Sequence, residues 1–276
     1  MPELPEVQTV VNHLIEPLSG KRIIDVKPIW PKVFDNFNSN SLFKQNSNLK
    51  ILTVYRRAKF IVIQLEEQII AVHLRMTGKL YVIKSKKLPK HTSATLRLND
   101  GSILIFEDVR KFGRIYLYNN LDIINSRHGI EPLGAMFKLD HFQELVLSKK
   151  RIIKSLLLDQ SLIVGLGNIY VDESLWASGI HPNSISNLIP KSRLNKLYKS
   201  IIFILKKAIK AKGTTIIDFS VNGESGKYSS ELRVYGKKGE ICKNCNSRII
   251  KLKVCGRGTY VCKKCQKKFL KKGLSI

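Results

Sequence analysis

Four cysteines carry the clearest chemical signal in this chain. Cys242 and Cys245 form one C-x-x-C knuckle, Cys262 and Cys265 form a second, and sixteen residues (246 to 261) lie between them. Two thiolate pairs at that spacing can close a tetrahedral site, and the pattern predicts a zinc ribbon holding one structural Zn2+ per chain. The alternative, a disulfide framework, needs an oxidising compartment and usually a small secreted domain. The N-terminus carries Glu3 and Glu6, lacks a basic region followed by an apolar one, and does not read as a signal peptide. Cys255 has no partner at knuckle spacing; it is expected to be a small buried residue of the ribbon, not a ligand.

The ribbon lies in a very basic tail. Residues 237 to 276 hold thirteen Lys plus Arg against a single acid, Glu240, a net of +12. The whole chain of 276 residues carries a formal charge of +27, while its 43% hydrophobic content is ordinary for a globular protein with real cores. Such an excess calls for a polyanionic partner. A membrane surface is the competing polyanion, but no run approaches the roughly eighteen apolar residues of a spanning helix, and no single basic amphipathic helix dominates. Nucleic acid is the preferred partner.

These residues need elements to position them. Leu4, Val7, Val11 and Leu14 recur at helical spacing after Pro2, and Pro17 with Gly20 closes the segment. Short β-rich runs follow at 22–29, 51–55, 60–65, 69–74, 80–83, 94–98, 103–107 and 114–118, with Asn99-Asp100-Gly101 as a hairpin signal. Eight strands so spaced predict a sandwich or flattened barrel. A connector over 122–137, marked by Gly129, Pro132 and Gly134, leads to helical spacing at 139–147, 152–158, 169–177 and 191–212. Between two of these, Val164-Gly165-Leu166-Gly167-Asn168 predicts a tight turn into a helix N-terminus, whose free N–H groups suit a phosphate.

Several segments, in this order and spacing, closely resemble the bacterial formamidopyrimidine-DNA glycosylase family. They are Met1-Pro2-Glu3-Leu4-Pro5-Glu6-Val7, Arg56-Arg57-Ala58-Lys59, His73-Leu74-Arg75-Met76-Thr77-Gly78, Asp108-Val109-Arg110-Lys111-Phe112-Gly113, Leu157-Leu158-Asp159-Gln160, the run from Gly165 to Glu173, and Glu231-Leu232-Arg233-Val234-Tyr235-Gly236. The resemblance implies an α+β fold: a β-sandwich with a leading helix over 1–121, a linker over 122–138, a helix-two-turn-helix domain over 139–236 and a zinc ribbon over 237–276. It also implies a bifunctional repair enzyme that removes oxidised purines from double-stranded DNA and then nicks the strand. A monomer in the bacterial cytoplasm, on the nucleoid and not at a membrane, is expected.

The first two residues make chemical sense of that implication. An α-amino group has a pKa of about 7.7 to 8.0, against about 10.4 for lysine, so far more of it is free amine near neutrality. Attack by the secondary amine of Pro2 on the sugar C1′ yields an iminium that stays cationic and acidifies C2′ for elimination. Met1 must first be removed, because an amide nitrogen is not nucleophilic. Glu3 is the expected general acid and base, although an acid in a first helical turn also serves as a cap.

By the same resemblance, Lys59 contacts phosphate and assists elimination, and Arg257 in Gly256-Arg257-Gly258-Thr259-Tyr260 grips phosphates and takes part in the second elimination, a bidentate task suited to a guanidinium. Met76, Arg110 and Phe112 match a wedge that fills the space of an extruded base. His91, Lys154 and Asn168 match DNA-backbone positions, and Glu6 matches a position near the damaged base, structural or binding in role and not catalytic. The stretch from Phe219 to Ser230, with Gly223 and Gly226, matches the loop that closes over that base. Two other readings stand beside this one. The sister endonuclease VIII branch prefers oxidised pyrimidines and typically has glycine where this chain has Leu4, and a non-catalytic DNA-binding protein could retain the scaffold.

Overall fold

The computed structural model of the protein describes residues 1–38, 42, 49–85, 87–214, 220–221 and 224–271. The chain folds as two compact units, Met1–Ser126 with Ile209–Ser229, and Arg127–Ala208 with Ser230–Ile276.

The first unit begins with helix α1 (Leu4–Leu18), which buries Leu4, Val7, Val10, Val11, Leu14 and Leu18 along one face. Each such side chain contributes roughly 2 kcal/mol on burial, whereas helix propensities among ordinary residues differ by at most about 0.7 kcal/mol. Packing therefore decides this helix. It runs through Pro17 in its last turn, and the chain turns away at Gly20, whose φ is +79°.

Eight strands follow: β1 (Ile23–Pro28), β2 (Ile51–Arg57), β3 (Phe60–Leu65), β4 (Ile69–His73), β5 (Gly78–Ile83), β6 (Thr92–Leu98), β7 (Ile103–Asp108) and β8 (Arg114–Tyr118). They form two antiparallel four-stranded sheets, ordered β1-β6-β7-β5 and β2-β3-β4-β8. One continuous core joins the inner faces of both sheets to α1. The expected β-sandwich with a leading helix is the observed architecture.

Strands β3 and β4 are apolar on both faces. Ile61, Ile63, Ile70 and Val72 point into the sandwich core, while Val62, Ile69 and Ala71 form a second cluster with Ile124 under a layer of aromatic side chains. That outer cluster explains why the expected connector opens with a short helix, α2 (Asp122–Arg127): Ile124 has an apolar surface to cover.

The second unit contains α3 (Leu139–Leu147), α4 (Ile153–Leu158), α5 (Asn168–Ser178) and most of α6 (Lys191–Lys210). Its ribbon is the hairpin β11 (Ile250–Val254) and β12 (Arg257–Val261), reached after the small β9 (Ser220–Val221) and β10 (Glu224–Ser225) pair of the first unit. The ribbon is stitched to the helices. Lys267 donates to Gly179 O at 3.0 Å, His181 donates to Lys267 O at 2.9 Å, and Ile185 donates to Phe269 O at 2.8 Å. Trp176 of α5 packs on the cluster of Val234, Cys242, Ile249 and Cys262.

No helix among the described residues is long and apolar enough to cross a membrane. Of the expected closing loop, Phe219 and Gly223 lie outside the described residues.

Candidate functional site

Pro2 and Glu3 are buried at the head of α1, while Met1 is 52% exposed. Glu3 is the N-cap, and its backbone N–H donates to Glu6 Oε2 at 2.9 Å in a reciprocal capping box. The other oxygen of Glu6 accepts the Thr214 N–H at 2.7 Å. Glu6 thus ties the first helical turn to the chain that leads toward the β9–β10 pair. The adjoining Gly213 has a φ of +80°, and a Cβ there would come within 2.9 Å of Glu6 Oε1.

Lys59 is 6% exposed in the two-residue turn between β2 and β3, after Ala58 with a φ of +53°. A positive φ on alanine costs energy that the surroundings must supply. Arg56 helps here, donating to Ala58 O at 2.8 Å and reaching Gln8 of α1 at 3.2 Å. The turn bearing Lys59 is thereby fastened to the helix bearing Glu3.

Met76 lies in the loop joining β4 to β5, and Arg110 and Phe112 lie in the loop joining β7 to β8. Met76 is 42% exposed and Phe112 is 51% exposed, with the Arg110 guanidinium 4.9 Å from the Phe112 ring centre. Val109, not singled out from the sequence, is 55% exposed beside them. Each loop holds a non-glycine residue at positive φ, Arg75 at +54° and Lys111 at +55°. His91 is half-buried just before β6, and its carbonyl accepts the Asp108 N–H at 3.0 Å.

On the second unit, Lys154, expected at the DNA backbone, has internal partners. Its side chain is fully buried, with Nζ 2.6 Å from Asp172 Oδ1 and 2.8 Å from Thr259 Oγ1. The ammonium is engaged in a buried internal ion pair. Asp172 Oδ2 accepts the Tyr260 N–H at 2.9 Å, and Asn168 Nδ2 donates to Gly258 O at 2.9 Å. Lys154, Asp172 and Asn168 therefore hold the start of β12, where Arg257 stands exposed. Burial pushes the Asp172 carboxyl up to about 6, with Lys154 opposing the shift.

Asn168 opens α5, preceded by Gly167 in extended conformation and by Gly165 at a φ of +81°. Gln160 holds this turn by accepting the Gly165 N–H and donating to Leu166 O, each at 2.9 Å. Asn168 Oδ1 is buried and has no hydrogen-bond partner, so this helix start keeps an unused acceptor. Further along α5, Glu173 accepts the N–H groups of Arg233, Val234 and Tyr235 at 2.8–3.1 Å and so fixes the approach to the ribbon. Burial raises the pKa of its carboxyl, and these donors oppose the rise.

The sulfur atoms of Cys242, Cys245, Cys262 and Cys265 lie within 4.8 Å of one another, with 3.8 Å between Cys242 and Cys265 and 3.3 Å between Cys245 and Cys262. A tetrahedral ion with metal–sulfur bonds of about 2.3 Å needs sulfurs roughly 3.8 Å apart. The cluster fits that shape and could hold a metal ion, and none of the cysteines is in a disulfide. Cys255 departs from expectation, being exposed and not buried. Val254 pairs with Arg257, which leaves Cys255 and Gly256 as a two-residue turn with φ values of +47° and +77°. Both central residues at positive φ mark a type I′ hairpin, which keeps Cys255 at the tip.

Asp108, Asp172, Glu173 and Gln160 went unassigned in the sequence, although all four sit inside the segments that carry the resemblance. For the three carboxylates the available signal was adjacent acids, Glu107-Asp108 and Asp172-Glu173, in a chain of +27.

A family model described as the formamidopyrimidine-DNA glycosylase N-terminal domain matches residues 1–115, and one described as the formamidopyrimidine-DNA glycosylase H2TH domain matches residues 128–220. Together they span well over half of the chain. A formamidopyrimidine-DNA glycosylase of Protochlamydia amoebophila is 41% identical over 261 residues, covering 91% of this chain and 94% of that protein. One from Lactobacillus gasseri is 40% identical, covering 92% and 94%. The protein belongs to the formamidopyrimidine-DNA glycosylase family. Among solved structures, a Lactococcus lactis FPG variant in complex with a Fapy-dG containing DNA has a TM-score of 0.90 at 38% identity, covering 97% of this chain and 100% of that one. A MutM in complex with carbocyclic 8-oxo-G containing DNA has a TM-score of 0.88 at 38% identity, with the same coverage.

Proposed function

We propose that the protein excises oxidised purines from double-stranded DNA and cleaves the strand by β,δ-elimination, with the imino group of Pro2 as nucleophile. The observation that carries this reading is the head of α1, where Pro2 and Glu3 are buried and Glu3 is oriented by the capping box with Glu6. The exposed Met1 suits removal by an aminopeptidase.

The Pro2 nitrogen attacks C1′ and loses its proton, the N-glycosidic bond breaks with its electron pair leaving on the base, which takes up a proton, and Glu3 protonates the ring oxygen as the nitrogen lone pair opens the sugar to the iminium. Loss of a C2′ proton expels the 3′ phosphate, and a second elimination expels the 5′ phosphate. Lys59, on the turn fastened to α1, meets phosphate during the first elimination. Arg257, on the anchored start of β12, serves the second. Met76 and Phe112 enter the stack in place of the extruded base, and Arg110 bonds the orphaned partner. Asn168 offers its helix start to the backbone. The four cysteines hold one zinc ion, which shapes the ribbon and takes no part in the reaction.

Met-processed protein incubated with a duplex containing 8-oxoguanine opposite cytosine, in borohydride, is expected to form a covalent adduct. Pro2→Gly and Glu3→Gln proteins are expected to form none. Tight binding with no adduct on any oxidised base would replace this reading with that of a DNA-binding protein, and an adduct formed only with an oxidised pyrimidine would move the specificity to the sister branch.

A further inference from the structure

The loops carrying Met76, Arg110 and Phe112 have an unusual task. They hold Met76 and Phe112 in place although those side chains leave 42% and 51% of their surface exposed. Their order must come from the stems, and both stems converge on one carboxylate. Asp108, the last residue of β7, is 1% exposed. Its Oδ1 accepts Thr77 Oγ1 at 2.5 Å and the Arg110 N–H at 3.1 Å, and its Oδ2 accepts the Gly113 N–H at 2.7 Å. The Arg110 N–H also lies 3.2 Å from Thr77 Oγ1, and the Asp108 N–H donates to His91 O at 3.0 Å.

Three donors from two loops thus meet one acceptor-only group. An amide of the same shape would present an NH2 to at least one of those donors, leaving it buried and unpaired. The surrounding space is equally strict. A Cβ on Gly113 would come within 2.4 Å of Phe106 Cζ and 3.1 Å of Asp108 Oδ2, and one on Gly78 would come within 2.5 Å of Leu74 O. The two loops are clamped at adjoining points and cannot drift apart independently.

We infer that Asp108 is the positioning residue of the wedge: by accepting hydrogen bonds from Thr77, Arg110 and Gly113 it locks the Met76 loop and the Arg110–Phe112 loop into one body that enters the DNA stack together. This rests on the proposed role of Met76, Arg110 and Phe112. A group acting through the wedge matters when a base must be extruded from a duplex and matters little when the target sugar is already unstacked.

The test compares two reactions of the Met-processed full-length protein: single-turnover excision of 8-oxoguanine from a duplex, and cleavage of a preformed abasic site in a single strand. Asp108→Asn is expected to slow duplex excision about thirtyfold and single-strand cleavage less than about threefold, the scale of one buried donor left unpaired. Thr77→Val, which keeps the side-chain shape, is expected to reproduce the split even if Asp108→Asn folds poorly, and Thr77→Ser is expected to retain the wild-type rate. Equal losses on the two substrates would reduce Asp108 to a structural role, and wild-type duplex excision by Thr77→Val and Asp108→Asn would overturn the inference. Phe112→Ala separates the two ideas: if it leaves duplex excision unchanged, the wedge assignment itself fails, whereas slow Phe112→Ala beside normal Asp108→Asn sinks only the role of Asp108.

Discussion

Lys154 and Asp172 illustrate how strongly surroundings decide what a charged residue does. Removing both charges from water is costly, and their attraction is supported by the bonds to Thr259 Oγ1 and from the Tyr260 N–H. Breaking the pair from one side leaves an uncompensated buried charge. Lys154→Met is therefore expected to destabilise the second unit by about 3–5 kcal/mol in urea denaturation, and the double change Lys154→Met with Asp172→Leu to recover most of that loss. The salt dependence of DNA binding discriminates further. Arg257→Ala is expected to lower the slope of log K against log salt by about one, as for any lost phosphate contact, while the Lys154 double variant keeps the slope. A reduced slope in that double variant would mean either that Lys154 itself reaches phosphate or that Arg257 has lost its anchor.

Among the elements, the ribbon depends on both its cysteine cluster and its seams to the helices. The hairpin alone is two five-residue strands, marginal in water without further support. Support comes from the four sulfurs and from Asn168, Asp172 and the 179–185 segment that meets Lys267 and Phe269. Chelation, or Cys245→Ser, is expected to release one equivalent of zinc and to weaken DNA binding at concentrations where the β-sandwich keeps its far-UV circular dichroism. Full affinity in metal-free protein would contradict that expectation. The strands and helices of both units follow the periodicities seen in the sequence, from the helical spacing of Leu4, Val7, Val11 and Leu14 to the β-rich runs of 60–65 and 69–74. Periodicity reports which face meets a core, and here the cores were as expected. It says nothing of a second apolar face, so the sequence shows only a connector where helix α2 covers Val62, Ile69 and Ala71.

For the whole molecule, a charge of +27 makes binding to a polyanion a matter of counterion release. Affinity for a lesion-free duplex is expected to fall about a thousandfold or more between 50 and 200 mM salt, and a shallow dependence in a titration would mean that few of these cations reach phosphate. The order of elements, the cysteine cluster and the family are legible along the chain, because each is written in local spacing: apolar residues at 3.6 or 2, thiols at C-x-x-C, motifs of four to nine residues. The tertiary structure alone decided that Lys154 is enclosed, that Asp108 joins two loops, that Cys255 faces solvent, and that 209–229 returns to the first unit. Each of these depends on partners distant in the chain, such as Thr77 for Asp108, Thr259 for Lys154 and Glu6 for Thr214. Burial and pairing are properties of the folded neighbourhood, which no spacing along the chain encodes.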